Sequence, residues 1–262
     1  MDSVARGNLK AYASKDTVRK YSQDLELQEP ERRILSLLRS TLPQMGMLDI
    51  GVGAGRTSVH FAPLVQHYVG IDYASQMISA SRSALISLER KPILQVSDVR
   101  ALPFRANSFD LILFSYNGID YMSREDRLRA LEEVNRVGKK NSYFIFSSHN
   151  LNSTQHLFSL HLTGAFFHRE LVRWLLLRAL NFSFLSKNKN LDFAVINDGA
   201  NRFRLRTYYV RPLFQLTELA DLDFSVFHLY GLQAGRDLTT SELTGTSPTD
   251  PWIYYVCKNV KR

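Results

Sequence analysis

Three glycines at every second position constrain this chain more than any other feature of its sequence. Gly51, Gly53 and Gly55 lie in the stretch LDIGVGAGR, directly after a short apolar run. This pattern predicts a buried strand that ends in a glycine-lined turn, followed by a helix over residues 57–65. Glycine lacks a Cβ atom, so the turn can adopt positive φ angles and leave N–H groups free to donate to a ligand. The stretch therefore predicts a binding turn for a nucleotide-like molecule.

The spacing of these glycines separates two families of nucleotide-binding proteins. The dinucleotide fingerprint G-x-G-x-x-G needs its third glycine at position 56, where this chain has Arg56. The string that starts at Asp49, D-x-G-x-G-x-G, instead resembles motif I of the class I S-adenosylmethionine-dependent methyltransferases. That resemblance implies S-adenosylmethionine as the cofactor and methyl transfer as the activity.

Three later segments carry the same resemblance in the same order. Residues 69–74 predict a second short strand with Asp72 at its tip, where an acid accepts hydrogen bonds from ribose hydroxyls in both families. Residues 96–104 resemble the methyltransferase segment in which an acid and an apolar residue edge the adenine. Residues 108–114 predict a fourth strand, with a loop over residues 115–121 at its carboxyl end.

The resemblance implies an α/β fold: a doubly wound, mostly parallel seven-stranded sheet of the Rossmann-like methyltransferase type, with an insertion after strand 5 that forms a cap. We expect an N-terminal leader and the cofactor-binding half in residues 1–149, the cap and substrate region in 150–211, and the completion of the same domain in 212–262. The hydrophobic pattern predicts the elements as follows: helices over 29–42, 75–89 (with Ser75 as its N-cap), 125–137 and 213–222, and strands over 45–50, 91–96, 142–148, 224–229 and 252–258.

The resemblance also implies a set of cofactor-binding residues. Asp49 and the three glycines would surround the methionine portion, two residues the ribose, two the adenine and one the reacting sulfur. The predicted cofactor residues are Asp49, Gly51, Gly53, Gly55, Asp72, Tyr73, Met77, Asp98, Val99 and Asn117. The alternatives are that the glycines only form a turn and that Asp98 caps its own loop.

The predicted cap carries most of the chain's excess charge. Between Arg169 and Arg211 there are nine basic residues against three acids, a balance of +6 in a chain whose net charge is +8. This balance favours a substrate with a carboxylate or phosphate, or a nucleic acid backbone, and the alternative is a solvated or oligomer-forming face. Residues 202–206 alternate arginine with apolar residues and predict a strand with its arginines on one side. The substrate candidates are Tyr121, Arg202, Arg204, Arg206 and Tyr209.

His149 ends the predicted fifth strand, where the core of such a fold meets its substrate. An imidazole there can accept a proton from a hydroxyl or amine nucleophile, and the alternative is a structural hydrogen bond to the neighbouring loop. Three further histidines follow at spacings of seven, five and seven residues, which are not the spacings of a helical metal site. We therefore predict a possible general base at His149 and no metal.

Composition limits the location of the protein. The chain has one cysteine, which excludes an internal disulfide and a thiolate metal cluster, and its first twenty residues lack the apolar region of a signal peptide. The most apolar stretch, residues 171–185, contains Arg173 and Arg178 and is too short to span a bilayer. We expect a cytoplasmic protein without a membrane span and with an undefined oligomeric state.

Three functions are compatible with these residues. The first is S-adenosylmethionine-dependent methylation of an O or N atom of a small anionic metabolite, such as a sugar, a nucleotide-linked sugar or a natural-product intermediate. The second is an RNA methyltransferase, although the loop over 115–121 lacks the N/D-P-P-Y/F string of base-amino methylating enzymes. The third is a non-catalytic protein that binds S-adenosylmethionine or S-adenosylhomocysteine. Tyr12 and Tyr21 precede the first core helix, and either cover the cofactor or pack on the domain surface.

Overall fold

A single sheet organises the chain, and seven of its strands are those that the sequence predicts. The computed structural model describes residues 12–160, 167–187, 191–233, 237–238, 243 and 250–261. The strands of the described part are β1 (Gly46–Ile50), β2 (His67–Asp72), β3 (Ile93–Val96), β4 (Phe109–Phe114), β5 (Gly138–Asn150), β6 (Phe193–Ile196), β7 (Thr207–Val210), β8 (Phe224–Gly231) and β9 (Trp252–Asn259).

The order of the strands is that of a doubly wound fold. Strands β3, β2, β1, β4 and β5 lie side by side and run parallel. Strand β9 pairs antiparallel with β5, and β8 pairs antiparallel with β9. This arrangement confirms the predicted mostly parallel sheet, and the order reverses between β1 and β4, where such folds bind their ligands.

Helices cover both faces of the sheet. They are α1 (Lys15–Gln23), α2 (Glu29–Leu38), α3 (Ser58–Phe61), α4 (Ser75–Ala84), α5 (Arg124–Val137), α6 (Thr154–Leu157), α7 (Phe167–Leu180), α8 (Phe182–Lys187), α9 (Ala200–Phe203) and α10 (Pro212–Asp221). Helix α2 starts with a capping box between Gln28 and Glu31, and the Ser123 hydroxyl caps α5. Strand β5 shows the two faces in its alternation: Phe144 and Phe146 join one apolar cluster and Ile145 joins the other.

Three helix predictions are too long. Helix α2 ends at Leu38 rather than at residue 42, because a short 3₁₀ turn over Leu42–Gln44 leads into β1. The helices predicted over 57–65 and 75–89 are Ser58–Phe61 and Ser75–Ala84 in the structure. The N-cap of α4 is Ala74 rather than Ser75, and the Asp72 carboxylate at the tip of β2 accepts from the Ala74 N–H at 2.8 Å.

The segment over residues 150–211 adds two strands that the sequence does not predict. Strand β7 runs parallel to the last two residues of β5, with His149 opposite Tyr209 and Asn150 opposite Val210, and β6 pairs antiparallel with β7. A separate small apolar cluster lies here and includes Leu177 and Ile196. No helix in the described part of the chain is long and apolar enough to cross a membrane.

The predicted strand over residues 202–206 is wrong. Residues Asn201, Arg202 and Phe203 have positive φ angles of 46°, 58° and 63°, so the segment given as α9 is a tight left-handed turn rather than a regular helix, and the strand begins only at Thr207. The alternation nevertheless separates exposed arginines from the buried Leu205. The two-residue alternation therefore predicts correctly which side chains are buried here, but these residues do not pair as a strand.

Candidate cofactor site

A deep cavity lies at the carboxyl ends of β1, β2 and β4, and it encloses about 1020 Å³ including its open mouth. This size is that of a pocket for a small organic ligand. Eight of the residues predicted for the cofactor or substrate line it: Gly51, Gly53, Asp72, Tyr73, Met77, Asp98, Val99 and Tyr121. The glycine turn and the tip of β2 therefore face the same space.

The glycines of the turn have different roles. All three have φ angles that L-residues rarely adopt: 69° at Gly51, 54° at Gly53 and 100° at Gly55. Gly53 faces the cavity, where a Cβ atom would lie 3.8 Å from the ring of Tyr21. Gly55 does not line the cavity, because it packs against α4, where a Cβ atom would lie 3.1 Å from the Ser81 hydroxyl. The first two glycines are thus open to a ligand and the third permits close helix packing.

Asp72 connects the turn to the second strand. Its Oδ2 accepts a hydrogen bond from the Gly53 N–H at 3.0 Å, and its Oδ1 accepts one from the Ala74 N–H. Burial raises the pKa of this carboxyl group, and the backbone donors oppose the shift. A carboxylate has further lone pairs, so Asp72 can still accept hydrogen bonds from a diol in the cavity.

Asp49 lies beneath the turn rather than in the cavity, which corrects its predicted contact with a cofactor. It is buried, and its Oδ2 accepts hydrogen bonds from the hydroxyls of Thr57 and Tyr68, each at 2.6 Å. Burial raises the pKa of Asp49 to about 6 despite these two donors. Its role is to tie the strand β1 to the segment that follows the turn.

An ion pair network borders the far end of the cavity. The Arg100 guanidinium donates to Asp98 through Nη2 at 2.6 Å and to Asp126 through Nη1 at 2.6 Å. Hydrogen bonds from Arg100 hold the pKa of Asp98 below its usual range. Asp98 and Val99 line the cavity as predicted, and Arg100 sets the orientation of the Asp98 carboxylate.

Asn117 lies behind the cavity wall, although the sequence places it near the reacting atoms. Its backbone N–H donates to the Ser147 hydroxyl at 2.8 Å, and its φ angle of 57° turns the chain so that Tyr116 and Gly118 line the cavity instead. The side-chain Nδ2 lies 3.4 Å from Nε2 of His149. The Oδ1 atom of this buried side chain has no partner among the residues that the structure describes.

His149 belongs to a buried polar network centred on Asp120. Its Nδ1 lies 2.8 Å from Oδ2 of Asp120, which also accepts from the His149 backbone N–H at 2.7 Å. The other oxygen of Asp120 accepts from Arg127 and Ser148. His149 does not line the cavity, and the centroid of its ring lies 6.5 Å from that of Tyr121, which does.

Five tyrosines form the outer part of the cavity wall. Tyr12 makes edge-to-face contacts with Tyr21, Tyr73 and Tyr121, with ring centroids 5.8 to 6.3 Å apart. Tyr21 contacts Tyr116 in the same way. All five line the cavity, and two of them, Tyr12 and Tyr21, belong to the N-terminal segment before the first core helix, so that segment covers part of the cavity. Burial raises the pKa of Tyr12 well above its usual value, which keeps the hydroxyl neutral.

The comparison with known proteins agrees with this geometry. Residues 47–141, which include the glycine turn, Asp72 and Asp98, match the family model of a methyltransferase domain. This part of the chain is therefore similar to a methyltransferase domain.

Individual curated proteins match different shares of this chain. An uncharacterized methyltransferase of Bacillus subtilis, YcgJ, is 33% identical over 104 residues, which are 39% of this chain and 40% of that protein. The (+)-O-methylkolavelool synthase of Herpetosiphon aurantiacus is 25% identical over 131 residues, which are 48% of this chain and 45% of that protein. The chain thus spans less than half the length of these curated relatives.

The comparison with solved structures covers more of this chain than the sequence matches do. The crystal structure of a methyltransferase from Methanosarcina mazei superimposes with a TM-score of 0.58 and covers 84% of this chain and 94% of that one, at 19% sequence identity. This likeness confirms the predicted fold class.

The substrate candidates in residues 150–211 lie outside the cavity. Arg202, Arg204 and Arg206 are exposed, and neither they nor Tyr209 line it. Tyr209 packs on His149 with ring centroids 4.8 Å apart, and its hydroxyl donates to Asp198 at 3.2 Å. The residues that the structure describes contain no group of three or more metal-ligating side chains.

Sequence reasoning missed a buried ion pair beside the glycine turn. Arg56 donates to Glu31 of α2 through Nη2 at 2.7 Å, and Glu31 also accepts from Ser115 and from Tyr254. Burial alone would raise the pKa of Glu31, but the hydrogen bonds from Arg56 lower it overall. The signal was available: Arg56 occupies the position where the dinucleotide pattern has glycine.

Proposed function

We propose that this chain transfers a methyl group from S-adenosylmethionine to an O or N atom of a small anionic molecule. The observation that carries the proposal is the convergence of the Gly51–Gly53 turn with Asp72 on one cavity. Open glycine backbone suits the methionine portion of the cofactor, and a buried carboxylate suits the two ribose hydroxyls. Asp98 and Val99 would edge the adenine, with Met77 beneath it. The residues present therefore fit the cofactor that the resemblance implies.

Methyl transfer requires the protein mainly to position the acceptor atom and the methyl group. The cofactor supplies a methyl group already activated by a sulfonium centre. The chain must hold the acceptor atom in line with that group and keep water away. The tyrosine wall from Tyr12 to Tyr121 suits both tasks, because its rings are large and pack against one another.

His149 is our proposed acceptor of the proton when the nucleophile is a hydroxyl. Asp120 on Nδ1 orients the ring, as a carboxylate does for a histidine base, so Nε2 faces the loop that carries Asn117. Because Tyr121 lies on the cavity wall in front of the ring, this role requires that side chain to move when the acceptor binds. His149→Gln should lower kcat by about a hundredfold or more and leave cofactor affinity unchanged. A lower cofactor affinity with an unchanged kcat would instead assign His149 to supporting the loop.

The nature of the acceptor follows from charge and from one relative. The excess of basic residues in the insertion favours an anion, and the turn that bears Arg202, Arg204 and Arg206 begins beside Asp198. Asp198 accepts a hydrogen bond from the Tyr209 hydroxyl at 3.2 Å, and Tyr209 packs on His149, so this turn starts beside the His149 network. The name of the Herpetosiphon relative denotes a synthase of an O-methylated small molecule, which supports a small acceptor for this chain over RNA.

Transfer of a tritiated methyl group tests the function as a whole. The full chain is incubated with labelled S-adenosylmethionine and a pooled metabolite extract, and the products are separated by size and charge. We expect label in a small anionic product, and much less of it with an Asp72→Ala variant when the cofactor is supplied near the dissociation constant of the unmodified chain. Label in RNA added to the same reaction would support the RNA alternative. Tight cofactor binding without any labelled product would support a non-catalytic binding protein.

The triple variant Arg202→Glu, Arg204→Glu and Arg206→Glu tests the proposed charge of the acceptor. Once the acceptor is known, we expect its KM to rise at least about tenfold, since each reversed charge repels an anion, while cofactor affinity stays unchanged. The matched control reverses three exposed arginines elsewhere: Arg19, Arg32 and Arg39. An equal loss of acceptor and cofactor affinity would indicate a folding defect and contradict the role of the turn.

A further inference from the structure

Helix α7 exposes an apolar face to solvent. Leu177 is the buried residue of this helix, and Trp174 on the same side donates its indole N–H to the Phe158 carbonyl at 3.0 Å. On the opposite side the exposed fractions are 54% for Val172, 52% for Leu175 and 43% for Leu176. The face continues through Leu180 into Phe182 of α8, which is 72% exposed. Soluble proteins seldom expose a contiguous apolar patch of this kind without a partner.

Arginines border this face. Helix α7 carries Arg169, Arg173 and Arg178 against a single acid, Glu170. Arg173 and Arg178 are exposed, and the Arg178 guanidinium lies 5.1 Å from the centre of the Trp174 ring. Long cationic side chains beside an outward apolar stripe are typical of helices that lie in a membrane interface, where the apolar residues enter the acyl region and the cations meet the headgroups.

We propose that α7 and the start of α8 bind the surface of an anionic lipid membrane. The charge decides between this partner and a second copy of the chain. Two copies that buried this face against each other would bring like arginines together, in a chain whose net charge is already +8. Anionic headgroups neutralise the same arginines. The proposal uses residues other than the Arg202–Arg206 turn, so it is independent of the acceptor's charge.

Vesicle sedimentation tests the proposal with the full chain. One set of vesicles is phosphatidylcholine alone, and the other contains phosphatidylglycerol at three parts in ten. We expect binding to the anionic vesicles at least about tenfold stronger than to the neutral ones, and weaker binding in 0.5 M salt, because the headgroup attraction is screened. Leu175→Glu/Leu176→Glu should abolish binding, and Arg173→Glu/Arg178→Glu should weaken binding to anionic vesicles at least about tenfold.

The controls separate membrane binding from misfolding. The double variant Ile86→Glu/Leu213→Glu makes the same change at exposed apolar positions outside this face and should bind vesicles as the unmodified chain does. S-adenosylmethionine affinity should be equal in all variants. The proposal is overturned if the unmodified chain ignores anionic vesicles, or if Leu175→Glu/Leu176→Glu binds them equally well. A concentration-dependent dimer that this variant loses, without vesicle binding, would assign the face to a second copy instead.

Discussion

Asp72 is the side chain on which we expect cofactor binding to depend most. Its carboxylate lines the cavity and also accepts the Gly53 N–H at 3.0 Å. We expect Asp72→Ala to weaken S-adenosylmethionine binding by about 1.5 to 3 kcal/mol, the range for hydrogen bonds to a charged group. Isothermal titration calorimetry measures this loss, with Asp24→Ala as the exposed control. An unchanged dissociation constant in a folded Asp72→Ala variant would contradict the assignment.

Asp49 makes stability depend on pH. An aspartate in an unfolded chain titrates near 3.9, whereas burial raises the pKa of Asp49 to about 6 in the folded protein. Between these values the folded state binds more protons, so stability is highest below the lower pKa and falls as the pH rises through the upper one. We expect the unmodified chain to lose about 2 kcal/mol relative to Asp49→Asn between pH 4 and 7. Urea unfolding across this range measures it, and parallel curves would refute the prediction.

The sequence predicts the segments that line the cavity more accurately than it predicts the individual side chains that do so. Asp72 and Gly53 line the cavity as expected. Asp49 does not, because neighbouring residues of a strand point to opposite faces and Ile50 takes the cavity side. Asn117 lies behind the cavity wall because its left-handed backbone turns Tyr116 and Gly118 toward the cavity. A motif specifies spacing along the chain, and these directions depend on local backbone geometry.

Among the elements, the leader has the most direct effect on the site. Tyr12 and Tyr21 contribute part of the cavity wall through edge-to-face contacts, yet the core strands do not depend on them. We expect deletion of residues 1–24 to weaken S-adenosylmethionine binding about tenfold or more, because the cavity opens to water, while the fold persists. Calorimetry and circular dichroism measure the two effects, and Lys20→Ala is the exposed control within α1. Unchanged affinity in the deletion variant would show that the leader only packs on the surface.

Elements of the core were predictable and those of the insertion were not. Strands β1 to β5 show continuous apolar runs because helices cover both faces of the sheet. Strands β6 and β7 have four residues each, and β7 finds its partner at the far end of β5, about sixty residues earlier in the chain. Pairing over such a distance leaves no local pattern in the sequence.

Across the whole molecule, one buried ion pair connects distant parts of the chain. Glu31 of α2 meets Arg56 after the glycine turn, Ser115 after β4 and Tyr254 of β9. We expect Arg56→Ala to cost about 3 to 5 kcal/mol of unfolding free energy, because it leaves a buried carboxylate without its partner. The exposed pair of Arg33 with Glu29 provides the control, and Arg33→Ala should cost less than about 1 kcal/mol. Urea unfolding compares them, and equal losses would refute a special role for the buried pair.

The fold of the whole molecule follows from the sequence, whereas the acceptor does not. Four motifs in one order identify the methyltransferase sheet, because each stands at the end of a strand that the sheet arranges side by side. We propose that the insertion selects the acceptor. Its described arginines lie outside the cavity, and its composition shows an excess of positive charge without showing where that charge lies.

The pairing of Asn150 with Val210 has a consequence for how such proteins diversify. These two residues are partners in neighbouring strands, so the insertion leaves the sheet and returns to it at adjacent points, and the side chain of Arg211 bonds that of Asn152 at 3.2 Å. Neighbouring strands lie about 4.8 Å apart, a gap that a short loop bridges. The intervening residues can be exchanged as one cassette for another of different length, while the donor half of the molecule keeps its geometry. On the proposed function, new acceptor specificities are thus accessible without rebuilding the cofactor site.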